Sequence, residues 1–112
     1  MLESLAGFDV RDGDPVATHD LATAVTAAPL QYTAGSRQWF LASGLTTFVE
    51  NGHPTEGEWS VDDQGRFTSF WPPSYRATYE VTWLVTCGQI TGLRFVDARS
   101  GDRFDGRFQM NA

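Results

Sequence analysis

The stretch that decides the fold is YRATYEVTWLVT, residues 75–86. Its odd-numbered positions, from Tyr75 to Val85, are apolar or aromatic, and its even-numbered positions are polar or charged apart from Leu84. Successive side chains of a β-strand point to opposite faces of the sheet, so this alternation indicates a strand with one buried face. The stretch therefore predicts a long amphipathic β-strand.

Turn residues flank this strand on both sides and recur through the second part of the chain. The predicted turns contain Asn51-Gly52, Asp63-Gln64-Gly65, Pro72-Pro73-Ser74, Cys87-Gly88 and Ser100-Gly101-Asp102. Each supplies the Gly, Asn or Pro that a reversing backbone favours. The predicted strands lie near residues 37–43, 45–50, 56–62, 65–71, 75–86, 89–97 and 102–109. These intervals leave no room for intervening helices, which indicates an antiparallel meander over residues 37–109.

The first 36 residues have a different pattern. Thirteen of the fifteen aromatic residues lie between Trp39 and Phe108, so aromatic side chains are scarce at the start. Asp14-Pro15 is typical of a helix start, and apolar residues then recur at helical spacing until Pro29. The sequence predicts one helix over about 15–28 within an N-terminal segment of residues 1–36, and one domain over residues 1–112.

Seven consecutive antiparallel strands are expected to curl toward a small barrel or half-barrel, because closure removes exposed sheet edges. Residues 5–10, LAGFDV, are a candidate eighth strand. The N-terminal helix would plug an open end of the barrel or cover one face.

Composition excludes several classes of protein. The 112 residues include 41% hydrophobic side chains and a formal net charge of −6, which argues against a disordered chain and against nucleic-acid binding. No apolar run is long enough for a membrane span. A single cysteine and no signal peptide pattern predict a reducing cytoplasm. All eight basic residues are arginine, which is typical of a GC-rich bacterial genome.

The segment Gly57-Glu58-Trp59, with Gly65-Arg66-Phe67 and Trp71-Pro72-Pro73 after it, is the most distinctive part of the chain. A Gly-x-Trp strand, an antiparallel meander and a late arginine, Arg103 or Arg107, able to lie over the indole together resemble the lipocalin-like, or calycin, β-barrels. That resemblance implies a cup for a small hydrophobic or aromatic molecule. The alternative fold is an α+β cone, which resembles the nuclear-transport-factor-like superfamily.

Aromatic side chains are the candidate walls of such a cup. The candidates are Trp59, Trp71, Tyr75, Tyr79 and Trp83. Large aromatic residues either fill the interior of a small barrel or line a ligand cavity. Core filling is the favoured interpretation for each one, because an eight-stranded barrel is only just wide enough for its own side chains.

Arg94 is the most informative polar residue, since it stands between Leu93 and Phe95. An inward guanidinium would hold a carboxylate or enolate through its fork of donors. The alternative, slightly favoured, is an outward ion pair with Glu80 on the neighbouring strand.

Proton transfer has three further candidates. Glu58 and His53 follow the predicted Asn51-Gly52 turn, which Glu50 precedes, so a carboxylate and an imidazole would meet at one rim of the barrel. Solvation beside a turn is the favoured interpretation for His53. Tyr79 is the third candidate, as a wall residue that also carries a hydroxyl.

The remaining motifs predict no metal and no cofactor. Two distant histidines and Cys87 give no ligand spacing, and Cys87 is interpreted as a spectator thiol. We therefore predict a bacterial small-molecule-binding barrel acting as a cofactor-free cyclase, isomerase or lyase on an aromatic or polyketide-like substrate. The alternatives are a non-catalytic carrier of an apolar or aromatic ligand and a structural or regulatory interaction protein, including a homodimer formed through an open sheet edge.

Overall fold

Eight strands follow one another around a closed barrel in the computed structural model, which describes residues 3–109. The strands are β1 Leu30–Tyr32, β2 Arg37–Phe40, β3 Leu45–Glu50, β4 His53–Val61, β5 Phe67–Trp71, β6 Tyr75–Thr86, β7 Gln89–Asp97 and β8 Arg103–Phe108. Each pairs antiparallel with the next, and β1 pairs with β8 to close the barrel. The predicted mainly-β antiparallel barrel is confirmed. The alternative prediction, an α+β cone, is wrong.

The N-terminal helix is shorter than the sequence predicts. Instead of a helix over 15–28, a 3-10 turn at Thr18–Asp20 leads into α1, Leu21–Thr26. The Asp14 carboxylate does not cap a helix but accepts a hydrogen bond from the backbone N–H of Arg11 at 2.9 Å. Pro15 forms a β-bridge with Thr82. The chain is extended here because its backbone pairs with a neighbouring strand.

That neighbour is the second half of β6. The pairing of β5 with β6 ends at Phe67 and Tyr79, so the edge of β6 beyond that point needs another partner. Residues 13–16 provide it through backbone bonds of 2.8–2.9 Å between Gly13 and Trp83, Asp14 and Trp83, and Val16 and Val81. The Asp12 carboxylate accepts the next free N–H, from Val85, at 2.9 Å.

The eighth strand is Leu30–Tyr32 rather than the candidate over residues 5–10. Leu30 lies opposite both Gln38 of β2 and Phe108 of β8, so three residues suffice to join the two sides of the barrel. The strand follows Pro29 directly, beyond the predicted helix but within the N-terminal segment of residues 1–36. Its short length explains why no alternating pattern was visible there.

A β-bulge in β7 decides which side chains face inward. Leu84 pairs with Gly92 and Val85 with Ile90, so Thr91 is an extra residue on β7. An extra residue exchanges the faces of every side chain beyond it. Ile90 is therefore inward before the bulge, while Leu93 and Phe95 are inward after it, and all three are buried.

The two ends of the barrel are closed differently. At one end, Leu21, Ala24 and Val25 of α1 are buried in the same cluster as Leu5 and Trp83. Thr18 fixes this plug to the β4–β5 turn through a hydrogen bond from its Oγ1 to the Gly65 carbonyl oxygen, at 3.2 Å. The helix thus plugs an end, as one of the two predicted placements. The opposite end, surrounded by the turns after β1, β3, β5 and β7, is open.

A candidate ligand-binding cavity

A cavity of about 530 Å³ opens at the unplugged end of the barrel. Its aromatic walls come from seven strands, namely Tyr32, Phe40, Phe48, Phe67, Trp71, Tyr75, Tyr79, Phe95 and Phe104. Ser36, Gln38 and Ser69 add polar groups that are buried, whereas the lining residues Glu50 and Arg103 are exposed. Small-molecule sites are usually concave, largely apolar and of this size.

Phe67 connects the cavity to the barrel core. Its ring centroid lies 5.6 Å from those of Phe40 and Phe95 and 5.9 Å from that of Trp59. Trp59 is stacked on Phe67, and its Nε1 donates a hydrogen bond to the Leu41 carbonyl oxygen at 2.9 Å. Trp59 therefore supports a wall residue from behind and does not itself line the cavity.

Gly57 gives the Gly-Glu-Trp segment a second structural role. A Cβ on Gly57 would lie 2.5 Å from Cε3 of Trp71 and 2.6 Å from the Phe70 carbonyl oxygen. Only glycine leaves room for the Trp71 indole, which in turn meets Phe48 edge to face at a centroid distance of 6.4 Å. The expected arginine over the Trp59 indole is not found in residues 3–109, where the cation–π contact is Arg76 over Phe70.

A chain of hydrogen bonds crosses three strands inside the barrel. The Tyr32 hydroxyl donates to Oε1 of Gln38 at 2.6 Å, and Nε2 of Gln38 donates to Oγ1 of Thr46 at 2.9 Å. Thr46 then donates to the Trp39 carbonyl oxygen at 2.7 Å. Burial, with a smaller effect of Tyr79, raises the pKa of Tyr32 above its ordinary value. The buried amide of Gln38 is thus held in place, and Tyr32 remains a neutral donor.

Ser69 differs from these groups because its hydroxyl has no hydrogen-bond partner in residues 3–109. The residue is only 4% exposed and faces the cavity from β5. Burial also raises the pKa of Tyr79, and the nearby Ser69 hydroxyl offsets part of that rise without reaching hydrogen-bond geometry. Two interior hydroxyls consequently lie near each other, each able to donate to a ligand.

The structure divides the predicted wall residues into two groups. Trp71, Tyr75 and Tyr79 line the cavity. Trp83 is 1% exposed and lies at the plugged end, with its ring 5.1 Å from that of Phe8. Trp83 and Trp59 thus fill the core, while the other three aromatic residues are available to a ligand.

Arg94 faces outward and forms an ion pair with Asp105, not with Glu80. Its Nε and Nη2 donate to the two carboxylate oxygens at 2.7 and 2.9 Å. This bidentate bond holds the pKa of Asp105 below its ordinary value and raises that of Arg94. The bulge in β7 explains the orientation, because it places Arg94 opposite the outward Thr82. Asp105 is directly opposite on β8, whereas Glu80 pairs with Val96.

Glu58 and His53 do not meet. Both are exposed on β4, five residues and therefore about 17 Å apart. His53 instead pairs across the turn with Glu50, and Glu50 lines the mouth of the cavity. The carboxylates among the residues that line the cavity are Glu50 and Asp105, and Glu58 is not one of them.

Sequence reasoning missed Gln38 and Ser69. A usable signal existed, since Ser69 stands between Phe67 and Trp71 on the inward face of β5, and Gln38 shares an inward face with Phe40. A polar side chain on an apolar face is costly to bury unless a partner is present, so such residues are candidates for ligand contact.

The described residues contain no group of three or more His, Cys, Asp or Glu side chains arranged to hold a metal ion. Residues 3–109 also include no helix with the length and apolar character needed to cross a membrane. Comparisons of the chain with family models, curated proteins and solved structures return no match. The geometry of the cavity is therefore the basis for assigning a function.

Proposed function

We propose that this protein binds a small, flat, largely apolar molecule in the open half of its barrel. The observation that carries the proposal is the cavity of about 530 Å³, whose walls are aromatic and whose interior holds the Ser69 hydroxyl, which has no hydrogen-bond partner among the described residues. Aromatic walls stack on flat ligands, and a few polar groups fix the orientation of what is bound.

Catalysis is the second candidate function, and it depends on Tyr79. The other predicted catalytic residues, Glu58, His53 and Arg94, are not among the residues that line the cavity. A partly buried phenol with a raised pKa stays protonated at neutral pH, so Tyr79 suits the stabilisation of a developing negative charge on a ligand oxygen. A cyclase, isomerase or lyase acting without a cofactor would use it in that way.

Tryptophan fluorescence tests the binding proposal, because Trp71 is the one tryptophan among the residues that line the cavity. Titration with a panel of neutral two-ring and three-ring aromatic compounds is expected to give saturable quenching at micromolar concentration. In Trp71→Phe the quenching should be largely lost while calorimetry still detects binding. Absence of saturable binding by both methods, in a folded sample, would refute the proposal.

Carrier and enzyme are separated by the fate of the bound compound. Proton NMR spectra of each binding compound, recorded over hours with the protein, reveal any conversion. Conversion that stops in Tyr79→Phe while binding persists would support catalysis. Unchanged compounds across the panel would favour the carrier.

A further inference from the structure

We infer that the ligand is a neutral aromatic or conjugated carbonyl compound, whose oxygen accepts hydrogen bonds from the hydroxyls of Ser69 and Tyr79. The inference rests on the proposed function of the cavity and adds the chemical class of the ligand. The starting observation is the hydroxyl of Ser69, a buried lining residue without a hydrogen-bond partner in residues 3–109.

The Ser69 hydroxyl is buried on the inner face of β5. Ser69 is 4% exposed, and its Oγ has no hydrogen-bond partner in the described residues. Burying a hydroxyl without a partner is unfavourable, because the bonds to water are not replaced. A ligand oxygen would accept the hydrogen bond that Ser69 lacks in the free protein. The site would therefore favour a ligand with such an oxygen over one without it.

Tyr79 provides a second donor beside it. In the pairing of β5 with β6, Ser69 lies opposite Ala77 and Phe67 opposite Tyr79, which makes Ser69 and Tyr79 diagonal neighbours on the inner face. The Tyr79 ring meets Phe95 and Phe104 nearly edge-on, at centroid distances of 6.1 and 6.3 Å. Contacts on two neighbouring strands restrict its orientation, so its hydroxyl is presented to the cavity in a limited range of positions.

Two neighbouring donors favour a carbonyl oxygen over other oxygen groups. A carbonyl has two lone pairs and no hydrogen, so it accepts from both hydroxyls at once. A carboxylate would carry its charge into an apolar interior, where desolvation is costly without a cation. Arg103, the cation among the lining residues, is exposed. A ligand hydroxyl would also need an acceptor for its own hydrogen. The Gln38 oxygen is less available for that role, because it already accepts a hydrogen bond from Tyr32.

Two probes of similar shape test this inference, 2-acetylnaphthalene with a carbonyl and 2-isopropylnaphthalene without one. Affinities are measured by calorimetry, with the protein titrated into dilute probe. Ser69→Ala and Tyr79→Phe are each expected to weaken 2-acetylnaphthalene binding roughly threefold to tenfold, the range for one hydrogen bond. Binding of 2-isopropylnaphthalene should be unchanged, because it makes no hydrogen bond.

Thr68→Val is the matched control. Thr68 is on the same strand, its Oγ1 also lacks a partner in residues 3–109, and it does not line the cavity. Removing either orphaned hydroxyl should leave the melting temperature of the free protein unchanged or higher, but only Ser69→Ala should alter the affinity for the carbonyl probe. Infrared spectra of the carbonyl-¹³C probe should show its stretching band moving to higher frequency in Ser69→Ala.

The outcomes distinguish a failure of the carbonyl inference from a failure of the proposed binding function. If both probes bind and the two variants affect them equally, the carbonyl inference is overturned while the binding function stands. If neither probe binds the folded protein, the binding function itself is refuted. Loss of 2-acetylnaphthalene affinity alone, with Thr68→Val unchanged, is the result expected.

Discussion

The plugged and open halves of the barrel are built from the same strands but use their interiors in opposite ways. In the plugged half, Trp83, Leu93 and Val25 are at most 1% exposed. In the open half, Trp71 and Tyr79 are only partly buried and face about 530 Å³ of unfilled space. One half is packed for stability, while the other keeps aromatic surface that a ligand can cover.

The difference shows how a small barrel remains hollow without losing its core. Filling half of the interior with the N-terminal plug supplies buried apolar area, which dominates the free energy of folding. The open half then tolerates unfilled volume and an orphaned serine hydroxyl. Substitutions that change the volume or the polar groups of one half test this division.

The largest expected effect comes from removing one tryptophan from each half. Trp83→Ala should lower the free energy of unfolding by about 3–5 kcal/mol, because it empties a fully packed site. Trp71→Ala should cost less than about 2 kcal/mol, because part of that indole is already exposed. Urea denaturation measures both. Equal losses of stability would contradict the division of the barrel into two halves.

Gly57→Ala tests the boundary between core and cavity. The added Cβ would collide with the Trp71 ring and the Phe70 carbonyl oxygen, and overpacking of this kind costs about 1–3 kcal/mol. The displaced indole should also weaken binding of 2-acetylnaphthalene. Gly7→Ala is the control, because a Cβ there meets nothing within 4 Å. A Gly57→Ala protein as stable as Gly7→Ala would show that the close approach is unimportant.

Tyr32→Phe tests the polar wall of the open half. The variant leaves Gln38 without one hydrogen bond and should cost about 1 kcal/mol at neutral pH. Burial raises the pKa of Tyr32 in the folded state. Its contribution to stability is therefore complete below the ordinary tyrosine pKa of about 10 and is lost as pH rises toward the folded value. Urea denaturation between pH 8 and pH 11 should show a steeper decline for the wild type than for the variant.

The smallest effect is expected outside the barrel. The side chains of Arg94 and Asp105 are 34% and 37% exposed, and ion pairs with this exposure contribute about 0–1 kcal/mol. Asp105→Asn should therefore reduce stability slightly above the ordinary aspartate pKa of about 3.9, and the difference should vanish as pH falls through the lower folded value. In Arg94→Gln, calorimetry with 2-acetylnaphthalene should show unchanged affinity, because Arg94 is not among the residues that line the cavity. A large loss of affinity would mean that the outer face contributes to the cavity.

Local patterns predicted much of the barrel. The bounds of β3, β6 and β7 agree with the predicted strands at 45–50, 75–86 and 89–97. Alternation and strong turn residues act within a few positions there, and Asn51, Gly52, Cys87 and Gly88 all adopt positive φ. The strand at Leu30–Tyr32 and the extended residues 13–16 could not be found in this way, because partners some seventy residues away impose both.

The candidate site was predicted less completely, for reasons of register. Tyr79, Trp71 and Tyr75 follow from alternation and do line the cavity. The orientation of Arg94 depends on the bulge at Thr91. A regular hairpin, in which Thr91 paired with Leu84, would place Arg94 opposite the inward Val81. Whether Trp59 and Trp83 fill or line the interior depends on the position of the plug, which alternation does not encode.

The attachment of residues 12–16 to the second half of β6 also affects how the chain folds. Residues 12–16 and the second half of β6 are about seventy residues apart in the sequence, and the β1–β8 pairing spans a similar sequence separation. Ordering such long loops is entropically costly before any contact compensates for it, so these contacts are expected to form late. While the chain is incompletely folded, the far edge of β6 therefore lacks its partner, and an unpaired strand edge promotes aggregation at high concentration.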